Sequence, residues 1–242
     1  MRFRKMDRYY KIDEIVNGYY IKEIIGEGRY GIAYFAINNK NQKCVIKQLK
    51  KDSLEETREK LFYEEKILKS LNYASFPKFI STFKDEDREG YILEYIEGKV
   101  FEDLLARDGY EFKKNEIYEV CTKLLNLIEL LQNNKIVHRD IRLPNVIIRE
   151  NKELVLIDFG LARIIDNKKY VEAMDYWFLA DFLIHLHYSS YVENELPERP
   201  WYEELDLNLE EKIFLKKLMG LDSEYKNITE IRNQLKKIKD TI

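Results

Sequence analysis

The sequence predicts an α+β fold, rich in strands up to Gly98 and helical beyond it. Two periodicities carry this reading. In the first part, β-branched and aromatic residues gather in short alternating runs at 19–25, 30–37, 44–49, 79–83 and 91–96. In the second, Ile117, Val120, Cys121, Leu124, Leu127, Ile128 and Leu131 recur near every 3.6 residues, the signature of a long amphipathic helix. The third observation is size: 242 residues, 45% apolar, suffice for two packed lobes with real cores. The boundaries read as 1–97, with a short basic N-terminal extension, and 98–242.

Composition narrows the function classes. Lys plus Arg number 41 against 44 Asp plus Glu, a net charge of -3 that gives no pull toward nucleic acid or anionic membrane. The first eleven residues are locally basic (Arg2, Arg4, Lys5, Arg8, Lys11) and read as a solvated terminal segment. Cys44 and Cys121 form no disulfide framework or metal spacing. No apolar run approaches the roughly 18 residues of a membrane span and no signal-peptide core is seen, so a cytoplasmic location is expected.

Along the first part, three of the nine glycines fall at Gly26, Gly28 and Gly31, between two strand-like runs. A dinucleotide fold would open a helix at such glycines; here they make a strand-to-strand turn whose bare backbone can approach phosphates. The strand at 44–49 offers Lys47. In the helix that follows, Leu61, Ile67, Leu68 and Leu71 centre an apolar stripe almost on Glu64, leaving Glu65 about a quarter-turn away at about 100° per residue. A glutamate facing inward needs a partner, and Lys47 is the candidate. The runs at 79–83 and 91–96 flank a polar turn at 85–90 as another hairpin.

In the second part, the amphipathic helix leads to His138-Arg139-Asp140-Ile141-Arg142-Leu143-Pro144-Asn145. A hairpin follows, with strands at 146–148 and 154–157 and a polar turn at 149–153, and Asp158-Phe159-Gly160 ends it. Hairpin geometry can bring Asp140, Asn145 and Asp158 to one edge. Two carboxylates and an amide suit a hard cation that keeps water and binds through phosphates, magnesium rather than zinc. Further on, His185 and His187 are two apart on a helix expected to begin near Trp177, and read as packing or surface residues. Residues 192–206 read as a polar connection. Asn208 with Glu211, and Asn227 with Glu230, have capping-box spacing for two closing helices.

HRD followed by Asn at this offset, then DFG one hairpin later, resembles the catalytic loop and metal-binding motif of the protein kinase family. The resemblance implies a bilobal fold: an antiparallel-sheet N-lobe with one helix, and a mostly helical C-lobe. It also implies ATP and Mg2+ as cofactors. Asp140 would orient the attacking hydroxyl, with Arg142 as the cation near the γ-phosphate. Asn145 and Asp158 would hold the metal, and Lys47, fixed by Glu64, the α- and β-phosphates. Gly26, Gly28 and Gly31 would cover the phosphates. Glu94 and Ile96 would meet adenine through their backbone, behind which Leu93 stands guard; Ala33, Val45 and Ile147 would also contact the nucleotide. The family has Val after the glycine loop and Ala two residues before the lysine, so Ala33 and Val45 look exchanged.

Two departures stand out. Fourteen residues separate Gly160 from Asp175, the Asp two before Trp177 that resembles the start of a buried kinase helix. This interval holds no Pro, Ser or Thr, so the activation segment and its Ala-Pro-Glu motif are largely absent. The Arg that would pair with that Glu is replaced, at the matching place, by Lys226. A small eukaryotic-like Ser/Thr kinase resembling bacterial or RIO-type atypical kinases is implied, acting on a protein substrate and regulated, if at all, by a partner protein. The alternatives are a small-molecule phosphotransferase of the aminoglycoside-kinase type and a nucleotide-binding pseudokinase. Arg139 is expected to bond backbone carbonyls or a carboxylate such as Asp166.

Overall fold

Alternation decides which face of the first sheet is closed. In the computed structural model, β1 (Ile15–Val16), β2 (Tyr19–Glu27), β3 (Gly31–Asn38), β4 (Lys43–Leu49), β5 (Phe79–Lys84) and β6 (Glu89–Glu94) form one antiparallel sheet in the order β1-β2-β3-β4-β6-β5. The structure describes residues 7–29, 31–51, 54–192, 197 and 199–241, without the side chains of 54–57 and 60. Tyr30 of the glycine turn, Arg2, Arg4 and Lys5 of the basic arm, and 193–196 and 198 of the polar connection lie outside the described residues. Ile32, Tyr34 and Ala36 of β3, Cys44 and Ile46 of β4 and Ile92 of β6 are buried together on one face. The intervening Ala33, Val45 and Lys47 point to the other, where period two puts them. Among the described residues, the α-helix of this unit, α1 (Leu54–Ser70), buries Glu64, Ile67 and Leu68.

Residues 7–11 are solvated as expected at Arg8, Tyr9 and Lys11, which are exposed, but Tyr10 is not. Tyr10 is buried in the closed core, edge-on to Tyr34 at 5.6 Å, with the Arg88 guanidinium 3.6 Å over its ring and its hydroxyl donating to Asp85 at 3.0 Å. One tyrosine buries its aromatic area while the neighbouring cations Arg8 and Lys11 stay in solvent. The second hairpin also differs in its boundary: β6 begins at Glu89, and Gly90, expected in the turn, pairs with Gln48 and Phe83.

The second unit, 98–242, follows the 3.6-residue period. Its elements are β7 (Lys99–Val100), α2 (Phe101–Ala106), α3 (Lys114–Asn133), β8 (Ile136–Val137), β9 (Val146–Ile148), β10 (Leu154–Leu156), β11 (Arg163–Ile164), α4 (Ala173–Tyr188), α5 (Trp201–Glu204), α6 (Leu209–Leu218) and α7 (Ile228–Lys239). All seven periodic positions of α3 are buried, and the helix packs against α4 and α7. The helix expected near Trp177 starts four residues earlier, with Asp175 in its first turn, where a carboxylate suits the helix dipole. The polar connection contains α5. His187 is buried beside Tyr118, its pKa lowered to about 4 by desolvation, while His185 is exposed. Asn208 and Glu211 form the full capping box; at α7 Asn227 accepts from Glu230 N, but the Glu230 carboxylate reaches Lys226 N instead. Among the described residues, no helix is long and apolar enough to cross a membrane.

Candidate active site

In the first unit, the lysine and the inward glutamate meet. Lys47 Nζ lies 3.2 Å from Glu64 Oε1, with the glutamate side chain 1% exposed. Glu65 points outward to Lys69. A buried ion pair is favourable only when its remaining lone pairs are also satisfied. Tyr91, opposite Lys47 in the β4–β6 register, donates its hydroxyl to Glu64 Oε2. Nothing in the apolar run 91–96 marked Tyr91, because that strand is buried on both faces and its alternation is blurred.

Ala33 sits opposite Lys47 and Val45 opposite Leu93, so the two are diagonal neighbours on the lysine's face. The glycine turn is closed by Gly28 N donating to Gly31 O at 3.0 Å. Gly31 is required by space, since a Cβ there would lie 2.7 Å from the Gln48 carbonyl oxygen. Gly26 and Gly28 have room for a side chain, so their bareness leaves backbone uncovered rather than relieving a clash. Glu94 N–H is committed to the Lys78 carbonyl at 2.9 Å, and Ile96 is buried.

In the second unit, β9 and β10 form the expected hairpin, with Val146 opposite Leu156. Ile147 on β9 is buried against Gly98, whose φ of 143° and a would-be Cβ 2.5 Å from the Ile148 carbonyl both call for glycine. At the hairpin's open end, Ile157 N donates to Asn145 O at 2.9 Å, placing Asp158 beside Asn145 in the chain pairing. Asn145 Nδ2 donates to Asp140 Oδ2 at 2.8 Å and to Asp140 O at 3.0 Å. Arg142 grips both Asp140 carboxylate oxygens through Nε and Nη2. The expected convergence of Asp140 and Asn145 is therefore a set of direct bonds.

Two residues here hold left-handed backbone, Arg139 at φ 67° and Asp158 at φ 61°. Such conformations cost about 1–3 kcal/mol and persist only where the surroundings fix them. For Arg139 the fixing group is Asp175, fully buried, whose two oxygens accept from His138 N at 2.8 Å and Arg139 N at 2.7 Å. Burial pushes the Asp175 carboxyl up to about 6 while these two bonds hold it down. In the sequence, Asp175 reads only as a helix start. The Arg139 side chain bonds the Leu161 carbonyl at 3.0 Å and lies 4.8 Å over the Tyr170 ring. Of the two expected partner types it takes the carbonyl; Asp166 Oδ1 accepts from the N–H groups of Lys168, Lys169 and Tyr170.

The donor chemistry fits a hard divalent cation. With its Nδ2 turned to Asp140, Asn145 presents its amide oxygen away from that residue, and Asp158 adds a carboxylate; both are oxygen donors. Among the described residues, no three His, Cys, Asp or Glu side chains form a metal cage. Two oxygens suit a cation that draws its other ligands from phosphates and water.

Residues 19–194 match the protein kinase domain family. A probable serine/threonine-protein kinase of Bacillus subtilis (strain 168), YbdM, is 34% identical over 238 residues, 95% of this chain and 93% of that protein. The dual specificity protein kinase zakA of Dictyostelium discoideum is 31% identical over 156 residues, 61% of this chain and 19% of its own length. A solved structure described as PpkA-294 apo form matches with a TM-score of 0.75, covering 94% of this chain and 99% of its own. At 18% identity, that likeness concerns the fold.

Proposed function

The chain belongs to the protein kinase family, and we propose that it transfers the γ-phosphoryl group of ATP, with magnesium, to serine or threonine hydroxyls of a protein substrate. The observation that carries this reading is Asn145 bonded to Asp140 at the open end of the hairpin that delivers Asp158. The relative described as a serine/threonine-protein kinase is matched along 93% of its length, which favours a protein hydroxyl over a small-molecule acceptor. Phosphoamino-acid analysis of labelled protein tests the specificity: phosphoserine or phosphothreonine is expected, and phosphotyrosine alone contradicts it.

Phosphoryl transfer asks for positioning and charge stabilisation. Asp140, its carboxylate oriented by Asn145 and Arg142, accepts or directs the proton of the attacking hydroxyl. Asn145 and Asp158 supply the metal's protein oxygens. The metal, when bound, neutralises charge on the phosphate oxygens. Lys47, held by Glu64, takes the α- and β-phosphates, and the backbone at Gly26, Gly28 and Gly31 lies over them. Because the Glu94 N–H is already used, its carbonyl is the group left to meet adenine, together with the Ile96 backbone; Ala33, Val45 and Ile147 give apolar contact.

The exchange of Ala33 and Val45 gives a prediction about nucleotide affinity. Ala33→Val alone crowds the adenine at an overpacking cost of about 1–3 kcal/mol, and adding Val45→Ala relieves it. ATP affinities of both single variants and the double variant check this, strict additivity being the contrary result.

A second prediction concerns control. Many protein kinases are switched when a phosphate pairs with the HRD arginine. Here Arg139 is already held by the Leu161 carbonyl and the Tyr170 ring, and Tyr170 is the only hydroxyl between Gly160 and Asp175. The enzyme is active as synthesised, and regulation, if any, is supplied by a partner protein. Phosphatase treatment and Tyr170→Phe, which keeps the ring, should each leave the initial rate unchanged. A large loss in either would place control in phosphorylation.

A further inference from the structure

Glu64 is held from two adjacent strands at once. Lys47 of β4 takes one carboxylate oxygen at 3.2 Å, and the Tyr91 hydroxyl of β6 takes the other. The same tyrosine ring stands 5.7 Å from the Lys47 ammonium and stacks on Phe79 at 5.9 Å, with planes 10° apart. Tyr91 is 5% exposed and Glu64 1%, so water does little to steer the carboxylate. A buried carboxylate with one lysine could satisfy that lysine through either oxygen and several rotamers. A second donor, anchored in the sheet by ring stacking, selects one of them. The lysine's direction then follows from the tyrosine's position.

We propose that Tyr91 is a positioning residue for phosphate binding, acting through Glu64 to aim Lys47. The proposal rests on the reading of Lys47 and Glu64 as the pair that holds the nucleotide phosphates, and adds a third member to it. The donor comes from the same sheet that carries the lysine.

Tyr91→Phe removes the hydroxyl while keeping the ring, its stacking and its contact with Lys47. The test measures binding of ATP and of adenosine to the full chain carrying Tyr91→Phe, Glu64→Gln, both, or Lys47→Met. Loss of a hydrogen bond to a charged group corresponds to about tenfold in affinity, and that rise in the Kd for ATP is expected for Tyr91→Phe. Adenosine, which has no phosphates, should bind as to the parent, and this doubles as the check that the fold is intact. On a Glu64→Gln background the tyrosine change should cost no further ATP affinity. Equal weakening of ATP and adenosine would show a merely structural tyrosine and overturn the proposal. So would unchanged ATP affinity in Tyr91→Phe while Lys47→Met loses it. If Lys47→Met also bound ATP like the parent, the reading of the pair would fail, and the proposal with it.

Discussion

Asp158→Ala is expected to lower phosphoryl transfer by about 10²–10³-fold or more, the scale of losing one preorganised electrostatic group at a reacting centre. The residue ends the β9–β10 hairpin, beside the Ile157–Asn145 backbone bond, and its side chain adds a second carboxylate to Asp140. Its φ of 61° complicates the alanine variant, because alanine tolerates left-handed backbone less well than Asp or Asn. Asp158→Asn keeps the backbone preference and removes the charge, so it should be as inactive as Asp158→Ala while unfolding at the parent's midpoint. Both should lose the magnesium dependence of ATP binding. Lys47→Met should abolish transfer by removing the cation that pairs with Glu64. Assays of initial rate with thermal unfolding alongside separate these effects, and parent-level transfer by Asp158→Asn would refute the assignment.

Asp175→Ala should damage stability and rate together. It strands two main-chain N–H groups, those of His138 and Arg139, at about 1–3 kcal/mol each. It also releases the strained backbone at Arg139 that positions Asp140 one residue later. Some of this cost is offset because the native state already disfavours the ionised carboxyl. The sign follows from linkage: the folded pKa, about 6, lies above the ordinary 3.8. The stability this group contributes is therefore fully present below 3.8 and is lost as pH rises through about 6. Asp175→Asn, which does not titrate, should have a stability deficit relative to the parent that narrows as pH rises through that window. Chemical denaturation of both proteins at its two ends checks this; a deficit that widens toward neutral pH contradicts it.

The parts legible in the sequence were those where one physical signal acted alone. The 3.6-residue period of α3 and the strand–turn–strand spacing of 146–157 left one structural answer each. Glu64 was distinguishable from Glu65 because helix geometry turns a one-residue shift into a change of face. The illegible parts involved partners distant in the chain. Tyr10 looked like part of a basic tail until Tyr34, Phe83 and Arg88 surrounded it. Tyr91 gave no pattern because its neighbours are buried on both sides of the strand. Asp175 looked like a helix start, and only the fold brings it under the His138 and Arg139 amides 36–37 residues away. Backbone strain at Arg139 and Asp158 has no sequence signature at all.

Transfer of the terminal phosphoryl group of ATP to protein hydroxyls through Asp140, Asn145 and Asp158, without prior phosphorylation, is what we propose for this chain. It is tested most directly by incubating freshly purified, phosphatase-treated protein with γ-labelled ATP and magnesium, following label on the chain itself, on added generic protein and in free phosphate. Label is expected on protein serine or threonine, dependent on magnesium and absent with Asp158→Asn. Protein that binds ATP yet leaves all label on the nucleotide, or that labels protein equally well with Asp158→Asn, would contradict the account.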